Sequence, residues 1–193
     1  SGVIGLRQIH EELRAEVLKR WGRHVPFADE VFDRWEEASF LGFGEGSSIY
    51  NSTLVLGDVS VGENTWVGPF TVIDGRGGLE IGDWCNISSG VQIYSHDTLK
   101  ETLSGGKLPE ERSPTRIGNC CYIAPMSIVS RGVTIGDHSV VGANSFVNKD
   151  IPAYSICAGT PAKIIGRVVV DDGHVELFYD VDGKDGVDVT MDS

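Results

Sequence analysis

Aliphatic side chains recur every six residues through the centre of this chain, and no other feature restricts the fold as strongly. Fourteen Ile or Val residues follow this period: Ile49, Val55, Val61, Val67, Ile73, Ile81, Ile87, Ile93, Ile117, Ile123, Val129, Ile135, Val141 and Val147. An amphipathic helix requires a period of about 3.6 and a half-buried strand alternates at every second residue, so neither fits. A period of six with a turn at each corner is typical of very short strands that wind into a parallel β-helix. We therefore predict an all-β solenoid whose core is a column of stacked Ile and Val side chains.

Two interruptions break this rhythm. A two-residue slip occurs at Gly77-Gly78, and a much longer stretch separates Ile93 from the next aliphatic residue in phase, Ile117. The composition of that stretch is polar and includes two glycines, so it cannot form a buried core of its own. We predict an excursion loop over residues 97–114 that leaves the solenoid at one corner and lies over a neighbouring surface.

Both ends of the chain lack the repeat, and solenoids need covers at their ends. Apolar residues three or four positions apart predict an amphipathic helix near the N-terminus: Leu6, Ile9, Leu13, Val17 and Trp21. Near the C-terminus, residues 168–179 predict a hairpin that precedes an acidic tail. We therefore divide the chain into an N-terminal helical cap (1–47), a β-helix (48–152) and a C-terminal extension (153–193).

Composition restricts the partners and the compartment. Sixteen Lys and Arg residues stand against 28 Asp and Glu residues, a formal net charge of −12 that argues against a nucleic-acid partner. The four cysteines form no CxxC pair and are too few for a disulfide framework, which favours a reducing, cytoplasmic location. No apolar run approaches the roughly 20 residues of a membrane span and no leader opens the sequence, so we expect no membrane-spanning segment.

The repeat [Ile/Val]-Gly-x-x-small-x resembles the hexapeptide repeat of the left-handed β-helix acyltransferases. The segment 141–152, followed by the Ala-Gly-Thr-Pro-Ala-Lys element at 158–163, is similar to the sugar and xenobiotic O-acetyltransferases of that superfamily. The resemblance covers residues 49–167. It implies a left-handed parallel β-helix, a homotrimer whose active site lies between subunits and acetyl-CoA as the acyl donor.

His96 is the candidate catalytic residue, because it stands where the chain leaves a rigid strand for the excursion loop. Transfer of an acyl group from a thioester to a hydroxyl needs a base that works near neutral pH, and the pKa of histidine is normally about 6.5. The resemblance also assigns the general base to a histidine at this position. The alternative is a surface histidine that merely caps the loop.

Two aspartates are candidates for the acceptor side of the site. Asp97 adjoins His96 and has the chemistry to orient it or to hold an acceptor hydroxyl. Asp74 marks the slip at Gly77-Gly78, where a small excursion would line the acceptor pocket. Turn formation alone also explains an Asp-Gly pair such as Asp74-Gly75.

The resemblance further implies a coenzyme A groove that involves the C-terminal extension. Its candidate residues are Ala124, Pro125, Gly142, Ala143, Asn148, Lys149, Thr160 and Lys163. In this interpretation the backbone at Gly142-Ala143 pairs with the pantetheine amides, and the two lysines neutralise phosphates. Thr160 would shape the turn that presents Lys163.

The sequence departs from the family pattern at two positions. Tyr122 stands where many relatives carry Trp, so the wall beside the thiol of coenzyme A differs from that of the relatives. We assign Tyr122 to substrate binding. Pro125 stands where relatives offer a backbone N–H to the oxyanion, and proline has none. Ala124 or a group of a partner chain would then have to donate.

The preferred function is an acetyl-CoA-dependent O-acetyltransferase that acts on a sugar or a surface-polysaccharide precursor. The nearest alternative is N-acetylation of an amino-sugar nucleotide. A γ-class carbonic-anhydrase-like zinc enzyme is disfavoured, because the five histidines include no close pair. A non-enzymatic β-helix scaffold is the remaining alternative.

Overall fold

The computed structural model describes residues 2–181 and 184–188, with side chains over residues 5–180. The acidic residues of the predicted tail beyond residue 180 lie outside the described side chains. The helices are α1 (Gly2–Trp21), α2 (Phe27–Val31), α3 (Arg34–Phe40) and α4 (Leu99–Leu103). The strands are β1 (Ser48–Ile49), β2 (Leu54–Val61), β3 (Trp66–Val67), β4 (Val72–Ile81), β5 (Asn86–Ile87), β6 (Gln92–Tyr94), β7 (His96–Asp97), β8 (Glu111–Arg112), β9 (Thr115–Ile117), β10 (Tyr122–Ile123), β11 (Ile128–Val129), β12 (Thr134–Ile135), β13 (Val140–Val141), β14 (Phe146–Val147), β15 (Ser155–Gly159), β16 (Ala162–Asp171), β17 (His174–Val181) and β18 (Lys184–Asp188).

The strands wind into a left-handed parallel β-helix with three faces, as predicted. The first face contains β1, β3, β5, β10, β13 and β15, paired in parallel in that order. The second face contains the first halves of β2 and β4, then β6, β11 and β14. The third contains the second halves of β2 and β4, then β9 and β12. We name the corners by the faces that precede them, so the first corner joins the first and second faces.

The six-residue period builds the core. Each aliphatic residue of the repeat stacks on its counterpart in the next coil, as Ile87 does on Ile123 and Ile73 does on Ile93. These four side chains have no exposed surface. Val55 in the first coil is only half-buried, because no further coil lies beyond it. Burial of each Ile or Val contributes roughly 1.5–3 kcal/mol, so the column is the main source of stability.

Glycine follows the aliphatic residue at the third corner for a steric reason. A Cβ atom at Gly82 would lie 2.4 Å from Oδ1 of Asn119, and one at Gly118 would lie 2.3 Å from Oδ1 of Asp137. Those oxygens accept backbone N–H groups of the preceding coil, from Asp83 at 2.8 Å and from Asn119 at 2.7 Å. The glycine therefore makes room for a ladder of side chains that joins successive coils.

Small side chains later in each hexad also join the coils. The hydroxyl of Thr65 donates to the carbonyl of Gly82 at 2.8 Å, and the hydroxyl of Ser127 donates to that of Gly142 at 2.9 Å. The Cys85 thiol makes the equivalent contact with Gly118 at 3.0 Å. All four cysteines are free thiols, consistent with the absence of a disulfide framework.

The N-terminal helices cover one end of the solenoid, but unequally. Ala38 of α3 and Phe43 after it are buried in the hydrophobic core. The apolar stripe of α1 is less well covered, because Leu6 and Ile9 keep about half of their surface exposed. Among the described residues, no helix is both long enough and apolar enough to cross a membrane.

The solenoid continues past the expected boundary at residue 152. Strand β15 pairs in parallel with β13 and adds part of a sixth coil to the first face. After a turn at Thr160-Pro161, whose peptide bond is cis, β16 returns antiparallel to β15. Strand β17 then completes the predicted hairpin with β16 through a turn at Asp172-Gly173.

Candidate active site

The second corner of the third coil holds the backbone of His96 firmly. The hydroxyl of Ser95 is buried, donates to the carbonyl of Asp74 at 2.6 Å and accepts the N–H of Gly77 at 2.8 Å. His96 itself lies in β7, which pairs antiparallel with β8 across the neck of the excursion loop. The anchored neighbour Ser95 and the two-stranded β7–β8 ribbon thus fix the position from which the imidazole projects.

His96 and Asp74 lie side by side at this corner. The Nδ1 atom of His96 is 2.9 Å from Oδ2 of Asp74, and the Asp74 side chain has no exposed surface. The contact is close but not aligned as a hydrogen bond, and Nδ1 has no other partner. Catalytic contacts in unliganded sites are often misaligned in this way and tighten with substrate. A carboxylate beside Nδ1 favours a proton on that nitrogen and leaves the lone pair of Nε2 available as a base.

Arg76 keeps Asp74 ionised. Burial disfavours the charged carboxylate, but hydrogen bonds from the Arg76 side chain and from its backbone N–H outweigh burial, so the pKa of Asp74 is lowered. The guanidinium contacts Oδ2 at 2.8 Å and the backbone N–H contacts Oδ1 at 3.0 Å. The slip at Gly77-Gly78 therefore places a paired, buried carboxylate behind the imidazole.

A cavity of about 310 Å³ opens beside His96. It is lined by Tyr94, His96, Asp97, Thr98, Ile128, Ser130, Arg131 and Phe146. This volume is at the lower end of the range for ligand sites, about 300–1,000 Å³, and suits one small group. Among the described residues, the polar contact of the His96 ring is that of Nδ1 with Asp74, and the cavity borders the same ring.

Asp97 has a different neighbour from the one expected. Its carboxylate accepts hydrogen bonds from the guanidinium of Arg131 and from the Leu99 backbone N–H at 3.0 Å, which lower the pKa of Asp97. The expectation that Asp97 orients His96 is therefore wrong in this structure, because the carboxylate against the imidazole belongs to Asp74. Asp97 still lines the cavity.

The first corner contains several of the residues expected to bind coenzyme A. The N–H of Ala124 donates to the carbonyl of Val141 at 2.9 Å, and the N–H of Gly142 donates to Cys157 at 2.8 Å. Ala124 is therefore not free to donate to an oxyanion, and that expectation is wrong. Ala143 differs, since no described residue hydrogen bonds with its backbone.

The remaining candidates lie on the surface at the same end of the solenoid. Asn148, Lys149 and Lys163 are exposed. Thr160 is exposed as well, and its hydroxyl donates to the carbonyl of Asn144 at 3.2 Å, which ties the Thr160-Pro161 turn to the first corner. Pro125 is also exposed at this corner.

One chain brings the two groups of candidates together only in part, because Asn148 and Lys149 follow β14 and lie at the second corner, two coils beyond His96. His96 and Asp74 lie at the second corner, whereas Ala143 lies at the first corner, across the width of the second face. Four strand residues at about 3.3 Å each separate these corners by roughly 13 Å. Tyr122 projects from the first face, is 44% exposed and lies away from the His96 cavity.

Arg76 and Arg131 are not among the site residues predicted from the sequence. Both occupy outward positions near corners, where a charged side chain carries no periodic signal. The Asp-Gly-Arg-Gly-Gly run at 74–78 is the only hint, because Arg76 lies within two residues of the carboxylate that it binds. Among the described side chains, no group of three His, Cys, Asp or Glu residues is arranged to hold a metal ion.

Residues 114–149 match the family described as bacterial transferase hexapeptide (six repeats). The chain carries the hexapeptide repeat of the bacterial transferases. Its fold and its repeat are those of the left-handed β-helix acyltransferases that the sequence resembles, so the sequence-based recognition is confirmed.

Three similar proteins extend this result. The galactoside O-acetyltransferase of Escherichia coli K12 is 32% identical over 138 residues, which cover 60% of this chain and 66% of that protein. The putative colanic acid biosynthesis acetyltransferase WcaF of the same strain is 35% identical over 109 residues, covering 55% and 57%. A solved galactoside acetyltransferase in complex with coenzyme A superimposes with a TM-score of 0.62 at 25% identity, covering 86% and 82%. The hexapeptide-repeat chain thus spans less than two thirds of the length of both sequence relatives.

Proposed function

We propose that this hexapeptide-repeat protein is an acetyl-CoA-dependent O-acetyltransferase that acts on a sugar or a surface-polysaccharide precursor. The observation that carries the proposal is the His96–Asp74 pair, which stands in the wall of a small cavity at one corner of the β-helix. The resemblance to proteins named galactoside O-acetyltransferase and colanic acid biosynthesis acetyltransferase supports a saccharide hydroxyl as the acceptor.

The proposed reaction uses His96 as the general base. Its Nε2 takes the proton of an acceptor hydroxyl while the oxygen attacks the thioester carbonyl of acetyl-CoA. A new C–O bond forms and gives a tetrahedral oxyanion. The C–S bond then breaks, the oxyanion returns to a carbonyl, and the leaving thiolate takes the proton back from the imidazolium. The products are the acetyl ester and coenzyme A.

Asp74 acts as a positioning residue in this mechanism. Its ionised carboxylate favours the tautomer with the proton on Nδ1 and stabilises the imidazolium that forms during attack. Asp97, which lines the cavity, remains a proposed acceptor contact, and Asp74 is too deeply buried behind the imidazole to be the first group that an acceptor meets. Tyr122 is proposed to form a wall beside the thiol of coenzyme A that approaches from a neighbouring chain.

The donor groove is proposed to follow the first corner towards the C-terminal extension. The unpaired backbone of Ala143 would hydrogen bond with the pantetheine amides, flanked by Ala124, Pro125 and Gly142. Lys163 would neutralise a phosphate beside the Thr160-Pro161 turn. Asn148 and Lys149, which follow β14 at the second corner, would contact the adenosine end and a further phosphate. Because the N–H of Ala124 already donates to the carbonyl of Val141, the donor to the oxyanion would be the N–H of Ala143 or a group of the neighbouring chain.

We further propose that the protein is a homotrimer and that it works in the cytoplasm. His96 lies at the second corner of one chain and the Ala143 part of the proposed groove at the first corner, so a site that needs both is complete only between two chains. Light scattering at micromolar concentration should give three times the chain mass, and a monomer would contradict the proposal.

Mixed oligomers test the shared site directly. A His96→Ala chain and a Lys163→Ala chain are each impaired, but a hybrid trimer contains one interface with an intact histidine and an intact groove. Co-expression should restore up to about a third of wild-type activity at low acetyl-CoA, since one of three interfaces is intact. Activity no higher than that of the separate variants would mean that each site belongs to one chain.

The activity itself is tested in two steps. Thermal shift measurements with coenzyme A, acetyl-CoA and Zn²⁺ should show stabilisation by both thio-compounds, because ligands that bind the folded state raise its melting temperature. Release of free thiol is then measured with a panel of neutral sugars, oligosaccharides and amino-sugar nucleotides. Turnover with amino-sugar nucleotides alone would favour N-acetylation. Stabilisation by Zn²⁺ alone would favour a zinc enzyme, and no response to any of these compounds would favour a non-enzymatic scaffold.

A further inference from the structure

Arg131 fastens the excursion loop to the body of the β-helix. It lies at the second corner of the fourth coil, directly beside the corner from which the loop departs. Its guanidinium binds the carboxylate of Asp97 in β7, the carboxylate of Glu111 in β8 at 2.9 Å and the hydroxyl of Ser113 at 3.4 Å. One side chain thus holds both strands of the ribbon at the neck of the loop.

The rest of the loop has little else to hold it. Strands β7 and β8 form two residue pairs, and none of the five residues of α4 is buried. Lys100 binds Glu111 at 2.7 Å, but this ion pair lies within the loop. Among the described side chains, the ion pairs that join the loop to the coils are those of Arg131 with Asp97 and Glu111. Charge-assisted hydrogen bonds of this kind are roughly twice as strong as neutral ones.

Arg131 also belongs to the site. It lines the same cavity as His96, Asp97 and Thr98, and its side chain is 25% exposed. Movement of the ribbon would therefore move one wall of the cavity relative to the imidazole of His96. We propose that Arg131 is the positioning residue that sets the acceptor side of the cavity by holding Asp97 and the loop in place. This inference rests on the proposed acetyl transfer and adds a specificity-determining role to it.

The test compares Arg131→Gln with Arg116→Gln in the full-length protein. Arg116 is a matched control, because it pairs with Glu80 at 3.0 Å on the third face, away from the cavity. Hydrogen exchange of residues 98–112 should become faster in Arg131→Gln alone. The acceptor KM should rise roughly tenfold, the effect of losing about one charge-assisted hydrogen bond, while the acetyl-CoA KM stays within about twofold.

Two further variants separate positioning from a general structural role. Arg131→Lys keeps one charge that can pair with one carboxylate, so it should restore part of the acceptor KM. Asp97→Asn combined with Arg131→Gln should be scarcely worse than Arg131→Gln alone, because the two residues act through one another.

The possible outcomes are distinct. Unchanged exchange of residues 98–112 in Arg131→Gln overturns the inference, whatever the kinetics. An equal rise in both KM values, or additive effects of the Asp97 and Arg131 substitutions, overturns the acceptor role. A wild-type protein that transfers acetyl to no acceptor contradicts the proposed function, and the acceptor role falls with it.

Discussion

The two corners that border the second face of the β-helix differ in what they offer a substrate. The second corner is built from charged side chains: Asp74 and His96 meet at 2.9 Å, and Arg76 and Arg131 bind the acidic residues around them. The first corner carries uncharged residues in every coil, and no described residue hydrogen bonds with the backbone of Ala143 there. This contrast matches the demands of the proposed reaction, since proton transfer needs a titratable group and an extended amide chain needs backbone partners.

If the second corner is the catalytic one, His96→Ala has the largest effect of any single substitution. We expect kcat to fall by roughly 10²–10⁴, the contribution of a general base, with coenzyme A binding unchanged. Thiol release and calorimetric titration with coenzyme A measure the two quantities. His138→Ala is the control, because His138 stacks on Tyr154 at the third corner and should leave kcat as it is. An unchanged kcat in His96→Ala would remove this residue from the mechanism.

Asp74→Asn sharpens the comparison within the second corner. The amide keeps the size of the side chain but does not stabilise an imidazolium, so we expect kcat to fall roughly 10²-fold, as for a misplaced catalytic group. The effect should persist at saturating acceptor and acetyl-CoA. A rise in acceptor KM with normal kcat would instead assign Asp74 to substrate binding, the role that the sequence analysis gave it.

Replacement of Leu99–Glu111 by a short Gly/Ser bridge tests whether the loop serves the second corner alone. The acceptor KM should rise roughly thirty- to a hundredfold, because Asp97 and Thr98 of the cavity wall lose the ribbon and the Glu111 contact that hold them beside His96. The acetyl-CoA KM should change far less. Equal changes in both constants would make the loop a general structural element.

Lys163→Ala tests the C-terminal extension beside the first corner, and Lys149→Ala tests the second corner two coils beyond His96. Each should raise the acetyl-CoA KM about five- to thirtyfold, as expected for loss of a lysine–phosphate contact, and leave the acceptor KM nearly unchanged. The effect should shrink with added salt, because exposed charges are screened beyond about 8 Å at physiological ionic strength. Lys19→Ala, in the last turn of α1, is the control. Wild-type affinity in both variants at low salt would mean that the donor groove lies elsewhere.

The smallest effect concerns stability. The pKa of Asp74 is lower in the folded protein than its usual value of about 3.9, so the ionised group stabilises the fold above that pH. This contribution is lost as the pH falls through the folded-state pKa. Denaturant unfolding of wild type and Asp74→Asn should therefore give a larger difference at pH 7 than at pH 3. A difference that is constant with pH would contradict the ion pair.

Much of the fold could be predicted from the sequence, because two features of each hexad indicate it independently. The aliphatic residue of each hexad marks the interior, and the glycine after it marks a corner where the next coil approaches closely. Ile151 shows the limit: it bridges to Ile135 on the third face, although it lies only four residues after Val147 and is out of phase. Its position depends on the shape of the coil below and not on its own place in the period.

The site was less predictable, because its contacts cross between coils. Asp74 pairs in register with Tyr94, so its contact with His96 reaches two residues further around the corner. Counting hexads brings the two residues to neighbouring coils but cannot choose between Asp74 and Asp97 as the partner of the imidazole. Asp97 instead binds the guanidinium of Arg131, which is 34 residues away and is not marked by any feature of the repeat.

The in-register pairing of the coils has a consequence for how such a protein changes size. Ile123 pairs with Val141, 18 residues later, and each such coil adds one inter-strand spacing of about 4.8 Å along the axis. A corner can absorb extra residues, as it does at Gly77-Gly78, but an insertion of any other length within a strand would turn aliphatic residues outward and break the side-chain ladder at the third corner. The length of the edge along which a long ligand could extend therefore changes only in steps of one coil. Duplication or loss of one complete coil would lengthen or shorten it by a single step while leaving the corner chemistry of the other coils intact.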